Sequence, residues 1–346
     1  MKQTLLMVFV LAWAVPMFSE RPPHARPKPE TFHATLDPKL LAYKPRGQLS
    51  GSLSGVQSDT TPGLVTLWIE GFRKYYPNVE IKASIEGSGA AGPVLTEQTA
   101  EFGLIAREMM EKEETPFEQK FGYKPLEVAI AGGSYRTVAF TDALTFFVNK
   151  QNPLEKLSLN QIDAIYSKTR NRGGKEDITK WGQLGLKGDW ADKPIHLIGV
   201  KEPNGFEHFL RLRILGDGQW KDGITVQDTV FPLASMVASD PYAIGYAGFG
   251  YLSDGVKPLA LAKTNSGPYY KGTFKEVAAQ KYPLSRVIYI YANRTPGKPL
   301  NPVLKEFVRY ILSREGQQAV VQDGIFLPLP EAYAQQELKK LEKKDA

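Results

Sequence analysis

A chain of 346 residues with 42% hydrophobic and 23% charged content holds enough apolar material for a sizeable core, and this length ordinarily divides into two compact units. The cysteine count is zero, which excludes disulfides, thiolate metal sites, cysteine nucleophiles and a lipid-modified cysteine behind a leader segment. The formal net charge of +6 is modest and partly carried by the flanks, by Arg21, Arg26 and Lys28 at one end and Lys339 to Lys344 at the other, so it tolerates an anionic ligand without demanding one.

Residues 1–19 read as an export signal, with Lys2 as the positive start and Leu5 to Val15 as an apolar run too short for a comfortable membrane span. Ala12-Trp13-Ala14 fits the small-x-small cleavage rule and Met17-Phe18-Ser19 fits it poorly, which leaves the cut point open; an uncleaved anchor is the alternative. Residues 20–48 carry Pro22, Pro23, Pro27, Pro29, Pro38 and Pro45 with no sustained apolar period, the composition of an extended linker.

Folding is expected to begin near Gln48. The run Gly55 to Pro62 places hydroxyl residues directly before a helix with Thr61 as N-cap and Pro62 at its first position. Leu64, Trp68, Phe72 and Tyr75 then fall on one face of that helix. Unpaired N–H groups and the positive end of the dipole at such a start, beside Ser58 or Thr60, make an oxyanion cradle; a plain cap serving its own helix is the simpler reading.

Val79, Ile81, Ala83 and Ile85 alternate as a strand, which runs into Gly87-Ser88-Gly89-Ala90-Ala91-Gly92. The glycines there permit close backbone approach and Ser88 offers a hydroxyl, with Gly89 beside it. The run is not a nucleotide P-loop, because Pro93 and Val94 stand where Lys and Ser or Thr are required. It is not a hydrolase elbow either, because Glu86 occupies the first glycine of G-x-S-x-G. Farther on, Arg107 in Phe102 to Glu108 can supply bidentate charge compensation.

Further strands are expected at Leu144 to Val148, Ile195 to Val200 and Arg286 to Ala292. Helices are marked by the Ser158/Gln161 capping box and by Val303, Leu304, Phe307, Val308 and Ile311. Lys201 to Phe206 follows one strand and leads into a helix, with Asn204 and Gly205 suited to its start. The alternation is that of an α/β fold, whose strand-to-helix turns converge on a ligand crevice. The last residues, 333–346, read as a charged tail with a fraying amphipathic helix.

Catalysis finds little support. The four histidines, His24, His33, His196 and His208, have no zinc spacing, and His208 beside Phe209 reads as a packed or surface residue rather than a catalytic base. Glu111, Glu113 and Glu114 read as a solvated face. The basic residues are dispersed and lack an aromatic-interleaved motif, which argues against nucleic acid.

Taken in register, several short motifs resemble the phosphate-binding protein of the ABC phosphate transporter, over roughly residues 51–330. They are Gly51 to Thr60 with Leu67-Trp68 and Tyr76-Pro77-Asn78, Gly87-Ser88-Gly89, Phe102-Gly103 with Ala106-Arg107, Asn152-Pro153-Leu154, Trp181-Gly182-Gln183-Leu184, Ala243 to Tyr246, Tyr282-Pro283-Leu284 and Glu315-Gly316-Gln317 with Gly324 to Pro328. The resemblance implies a type II periplasmic-binding fold, two lobes joined by crossing strands with a ligand cleft between them. Lobe 1 would be residues 49–141 plus about 280–332, and lobe 2 residues 142–279. It implies a periplasmic monomer that captures phosphate or a related small oxyanion for an ABC transporter permease, without a cofactor, without nucleic acid and without catalysis.

The resemblance carries Thr60, Ser88 and Arg107 over as ligand contacts; Ser58, Gly89, Asn204 and Gly205 complete the expected set. The third loop departs from the family pattern of Arg, three residues, then Ser-Gly-Thr, because Val200, Asn204, Gly205 and Phe206 stand at those positions. Ala106 likewise stands where serine is common. Lys201 is the nearest cation that could restore the missing charge. An alternative from another class is a ligand-divergent binding fold that serves as a sensor or scaffold.

Overall fold

The computed structural model describes residues 31–342; the export signal, residues 20–30 of the expected linker and the last four residues fall outside them. In chain order the first part comprises β1 (Gly51–Gln57), α1 (Pro62–Arg73), β2 (Val79–Ile85), α2 (Ala91–Glu97), β3 (Phe102–Ile105), α3 (Glu111–Phe121) and β4 (Leu126–Gly132). The middle comprises β5 (Leu144–Asn149), β6 (Lys156–Ser158), α4 (Leu159–Tyr166), β7 (His196–Val200), α5 (Gly205–Arg213), β8 (Thr225–Gln227), α6 (Leu233–Ser239), β9 (Ala243–Gly248), β10 (Val256–Pro258), β11 (Ala260–Ala262) and α7 (Phe274–Ala278). The last part comprises β12 (Val287–Ala292), α8 (Pro302–Ile311), α9 (Arg314–Asp323) and α10 (Glu331–Glu342).

Two five-stranded sheets result. One has the order β2-β1-β3-β12-β4, with β1 parallel to β2 and β3 and with β12 antiparallel to β3 and β4. The other has the order β10-β5-β9-β7-β8. A separate apolar core belongs to each, Leu53, Trp68, Phe102 and Phe307 in the first and Phe146, Tyr166, Trp181 and Phe209 in the second. This is the type II arrangement of two lobes, each with its own core.

Local signals act as the patterns suggest, with two differences. Ser158 accepts from the Gln161 N–H at 3.0 Å and Gln161 returns a bond to the Ser158 N–H at 2.9 Å, so the capping box starts α4. α1 buries Leu64, Val65, Trp68 and Phe72, and the Trp68 indole donates to the Gly316 carbonyl at 2.8 Å. Tyr75, expected on that face, lies past the end of the helix and is half-exposed. Pro62 opens α1 as expected, but Thr61 does not cap it: its hydroxyl donates backward to the Ser58 carbonyl at 2.9 Å, and α1 has no side-chain cap.

Two chain segments join the lobes and are bonded to each other. The Gly133 N–H donates to the Arg286 carbonyl at 2.8 Å, and the Leu144 N–H donates to the Leu284 carbonyl at 3.1 Å. Gly133 is required here, because a Cβ would lie 2.0 Å from the Thr141 carbonyl oxygen.

Residues 31–48 have little regular structure, as a linker would, yet they are packed rather than free. Leu40 is 1% exposed in the first core, and the Tyr43 hydroxyl donates to Glu306 at 2.9 Å. Phe32 stacks on Phe274 with ring centroids 5.1 Å apart and meets Tyr135 edge-on at 5.3 Å. The segment is thus a strap from the junction and the second lobe to the first. The expected charged tail is also docked: α10 buries Ala334, Glu337 and Leu341, and Glu337 accepts from the Ala129 N–H at 2.7 Å.

Leu40→Ala is expected to destabilise the protein by about 2–4 kcal/mol in denaturant unfolding, the usual range for a buried leucine; an unchanged midpoint would mean that the strap only rests on the surface. Gly133→Ala is expected to lower the thermal midpoint through its backbone clash, by about 1–3 kcal/mol of stability, and a neutral result would show that the crossing yields freely.

Candidate functional site

Because β1, β2 and β3 run parallel, their carboxyl ends lie side by side, and the three loops that follow are laced together. The Gly87 N–H donates to the Gln57 carbonyl at 3.1 Å, the Ser58 N–H to the Leu104 carbonyl at 2.9 Å, and the Ala106 N–H to the Ser88 hydroxyl at 3.2 Å. Gly87 adopts φ +80°, which lets the loop turn straight out of β2. Ser88 accepts in this arrangement, so its own O–H remains available to point at a ligand.

Arg107 sits at the centre. Its two terminal nitrogens grip Glu113 at 2.8 and 2.7 Å, and one also donates to the Glu108 carbonyl at 2.8 Å. Glu113 accepts from the Met110 N–H at 2.9 Å as well, which caps α3. The glutamate cluster expected to be solvated therefore splits: Glu113 is buried, Glu111 is exposed, and Glu114 pairs with Lys124 at 2.9 Å. A buried carboxylate this close to a half-buried guanidinium makes the arginine rigid and balances its charge.

The second lobe reaches this centre through α5. A Cβ on Gly205 would lie 3.6 Å from the Arg107 side chain, and one on Gly89 would lie 3.9 Å from its guanidinium. Backbone from either lobe thus comes close to Arg107. Next to it His208 donates from Nε2 to the Met109 carbonyl at 3.0 Å while Arg211 approaches Nδ1 at 3.3 Å. Of the packed and surface places open to His208, it takes the packed one, 5% exposed. Arg213 lies 3.9 Å from Glu108, which also accepts from the Tyr289 hydroxyl at 2.9 Å. Burial, and then Glu108 itself, push the Tyr289 hydroxyl above its ordinary value, so that oxygen stays protonated and donating.

The seven expected contacts thus fall into two groups. Thr60, Ser88, Gly89, Arg107 and Gly205 lie on these converging loops, Thr60 and Ser88 half-buried. Ser58 and Asn204 shape the loops: the Ser58 hydroxyl donates to Asp59 at 3.2 Å and lies 3.0 Å from the Thr60 hydroxyl, and Asn204 accepts from the Phe206 N–H at 2.9 Å as the N-cap of α5. Lys201 is exposed at the end of β7, where its N–H donates to Gln227, and Val200 is buried in the second core with its N–H on the Tyr246 hydroxyl at 3.1 Å.

Just outside this junction a groove of about 690 Å³ opens between the starts of α3 and α5, lined in part by Met110, Lys112, Glu202, Glu207 and Arg211. A larger groove of about 850 Å³ lies between Leu41–Arg46 and α10 and contains none of these residues. Among the described residues no group of His, Asp or Glu is arranged to hold a metal ion.

Sequence reasoning missed the Glu113 anchor and the junction residues Asp142, Tyr251 and Arg286. Asp142 is fully buried, and a Cβ on Gly248 would collide with its carboxylate. Burial pushes the Tyr251 hydroxyl up to about 12, with Asp142 adding to the rise and Arg286 opposing it, so these three groups share one neighbourhood.

A family profile described as a PBP superfamily domain matches residues 44–315. The phosphate-binding protein PstS of Pseudomonas aeruginosa is 40% identical over 308 residues, covering 89% of this chain and 92% of that protein. Two solved structures share the fold: PstS from Borrelia burgdorferi, with a TM-score of 0.52 at 18% identity over 81% of this chain and 99% of that one, and an ABC-type phosphate transport receptor from Vibrio cholerae, with a TM-score of 0.50 at 19% identity over 80% and 99%. With the profile spanning most of its length and a near-full-length relative at this identity, the chain belongs to the PBP superfamily and, within it, to the PstS phosphate-binding proteins.

Proposed function

We propose that this protein captures phosphate, or a closely related small oxyanion, in the cleft between its lobes and delivers it to an ABC transporter permease on the outer side of the inner membrane. The observation that carries this reading is the convergence on Arg107 of donor-rich loops from both lobes, through Ser88 and Gly89 on one side and Gly205 on the other. The 40% identical relative, a phosphate-binding protein, points the same way.

The physics suits capture. An oxyanion gives up water on entering the cleft and is held only if donors are already aimed at it, since a buried charge without partners is costly. Glu113 fixes the guanidinium of Arg107 in advance, which reduces what must be ordered on binding. The Ser88 hydroxyl and the uncapped start of α1 beside Thr60 add donors suited to an anion. Ser58 and Asn204 hold their loops in the shape that presents these donors. Closure of the lobes would then desolvate the ion and strengthen each bond.

Export through residues 1–19 and action in the periplasm as a monomer complete the reading. Among the described residues no helix is long and apolar enough to cross a membrane.

Ser88→Ala is expected to weaken phosphate binding about tenfold to a hundredfold in calorimetric titration of ligand-stripped protein, the loss of one hydrogen bond to a charged group. Its ligand-free thermal midpoint should fall only slightly, by the one bond Ser88 accepts from the Ala106 N–H; unchanged affinity would move the site elsewhere. No saturable binding of any oxyanion by the unaltered protein would favour the scaffold or sensor alternative. Amino-terminal sequencing of the periplasmic fraction should find the leader removed, and recovery of the chain beginning at Met1 from the membrane would favour an anchor.

A further inference from the structure

The third loop lacks the family's arginine, since Val200 faces the second core, and it replaces a hydroxyl with Phe206. Lys201 points to no compensation, being exposed at the end of β7. Arg107 does not supply the missing charge alone, because Glu113 already balances it.

Another guanidinium packs against the start of α5. Arg286 lies on the second crossing between the lobes, where its carbonyl accepts from Gly133, and its side chain is only 7% exposed. The guanidinium carbon is 5.5 Å from the centre of the Phe206 ring and 5.4 Å from that of Phe209. Both rings belong to the first turns of α5, whose amino end also meets Arg107 at Gly205. The Arg286 Nε has no hydrogen-bond partner among the described residues. The other deeply placed arginines are engaged, Arg107 with Glu113, Arg309 with Glu306 and Arg211 with Glu207.

A guanidinium placed over aromatic rings is held without using up its N–H groups, and those groups are the part that recognises an oxyanion. The buried Nε has no acceptor among the described residues, and an arriving anion supplies one. We propose that Arg286, placed over the Phe206 ring, is the second anion-binding guanidinium of the cleft and takes over the part of the arginine absent at Val200. Phe206 is then a platform for that cation, and the two departures of the third loop form one compensated change. The ligand is an anion of at least one full charge gripped between Arg107 and Arg286. This inference rests on the oxyanion-capture reading given above.

The test is phosphate titration by calorimetry, with ligand-free thermal unfolding, on the unaltered protein and on Arg286→Gln. The expected result is a loss of affinity of about a hundredfold with a ligand-free midpoint little changed, since the Arg286 Nε makes no hydrogen bond to be lost. If the unaltered protein binds phosphate and Arg286→Gln binds within threefold of it, the proposal is overturned while oxyanion capture stands. A lowered ligand-free midpoint with affinity retained also overturns it, in favour of a purely structural stack. If the unaltered protein binds no oxyanion, the capture reading falls first and takes this one with it. Should Arg286→Gln fail to fold, Phe206→Leu carries the test: it keeps an apolar side chain but removes the platform, and a loss of about tenfold supports the proposal whereas unchanged affinity sinks it.

Discussion

The bidentate pair of Arg107 with Glu113 is the interaction on which the rest of the cleft depends. Glu113 also caps α3 through Met110, so one carboxylate sets both the arginine and the start of a helix. α2 packs against the same residue so closely that a Cβ on Gly92 would lie 2.6 Å from the Glu113 carbonyl oxygen. Gly103 has the same constraint toward Ala91, at 2.4 Å. The small residues of α2 and β3 are thus what allow the arginine loop to sit beside the serine loop. Loss of one partner of such a pair leaves a buried charge unmatched, which costs about 3–5 kcal/mol.

The two lobes contribute unlike things to the cleft. The first offers loops laced by backbone bonds at the ends of three parallel strands, a rigid base. The second offers the first turns of α5, held at its N-cap by Asn204 and against the first lobe by His208 and Arg213. Rigid donors on one side and a single helix end on the other suit a site that must both grip and release, because release needs only the helix to withdraw.

Legibility followed distance along the chain. The strand-to-helix turns, the Ser158 capping box, Pro62 at the head of α1 and the glycine of the second loop were readable because each rests on residues a few positions apart. Glu113 was misread, since three glutamates in a short run look solvated until the fold sets one of them against Arg107 six positions earlier. Thr61 was misread because its hydroxyl had a choice between the helix ahead and the carbonyl behind, and spacing does not decide between them. Leu40 and Tyr43 looked like part of a linker because their partners, such as Glu306, lie more than 250 residues away. The place of Arg286 against Phe206 was out of reach for the same reason.

The strap also bears on how the lobes can move. Two crossing segments bonded side by side make a joint that can bend and can also twist. Phe32 against Tyr135 and Phe274 at one end, beside the first crossing, and Leu40 in the first core at the other add a third tie. A strap seated in the first core and against Phe274 of the second lobe restricts how far the two lobes can turn about that joint.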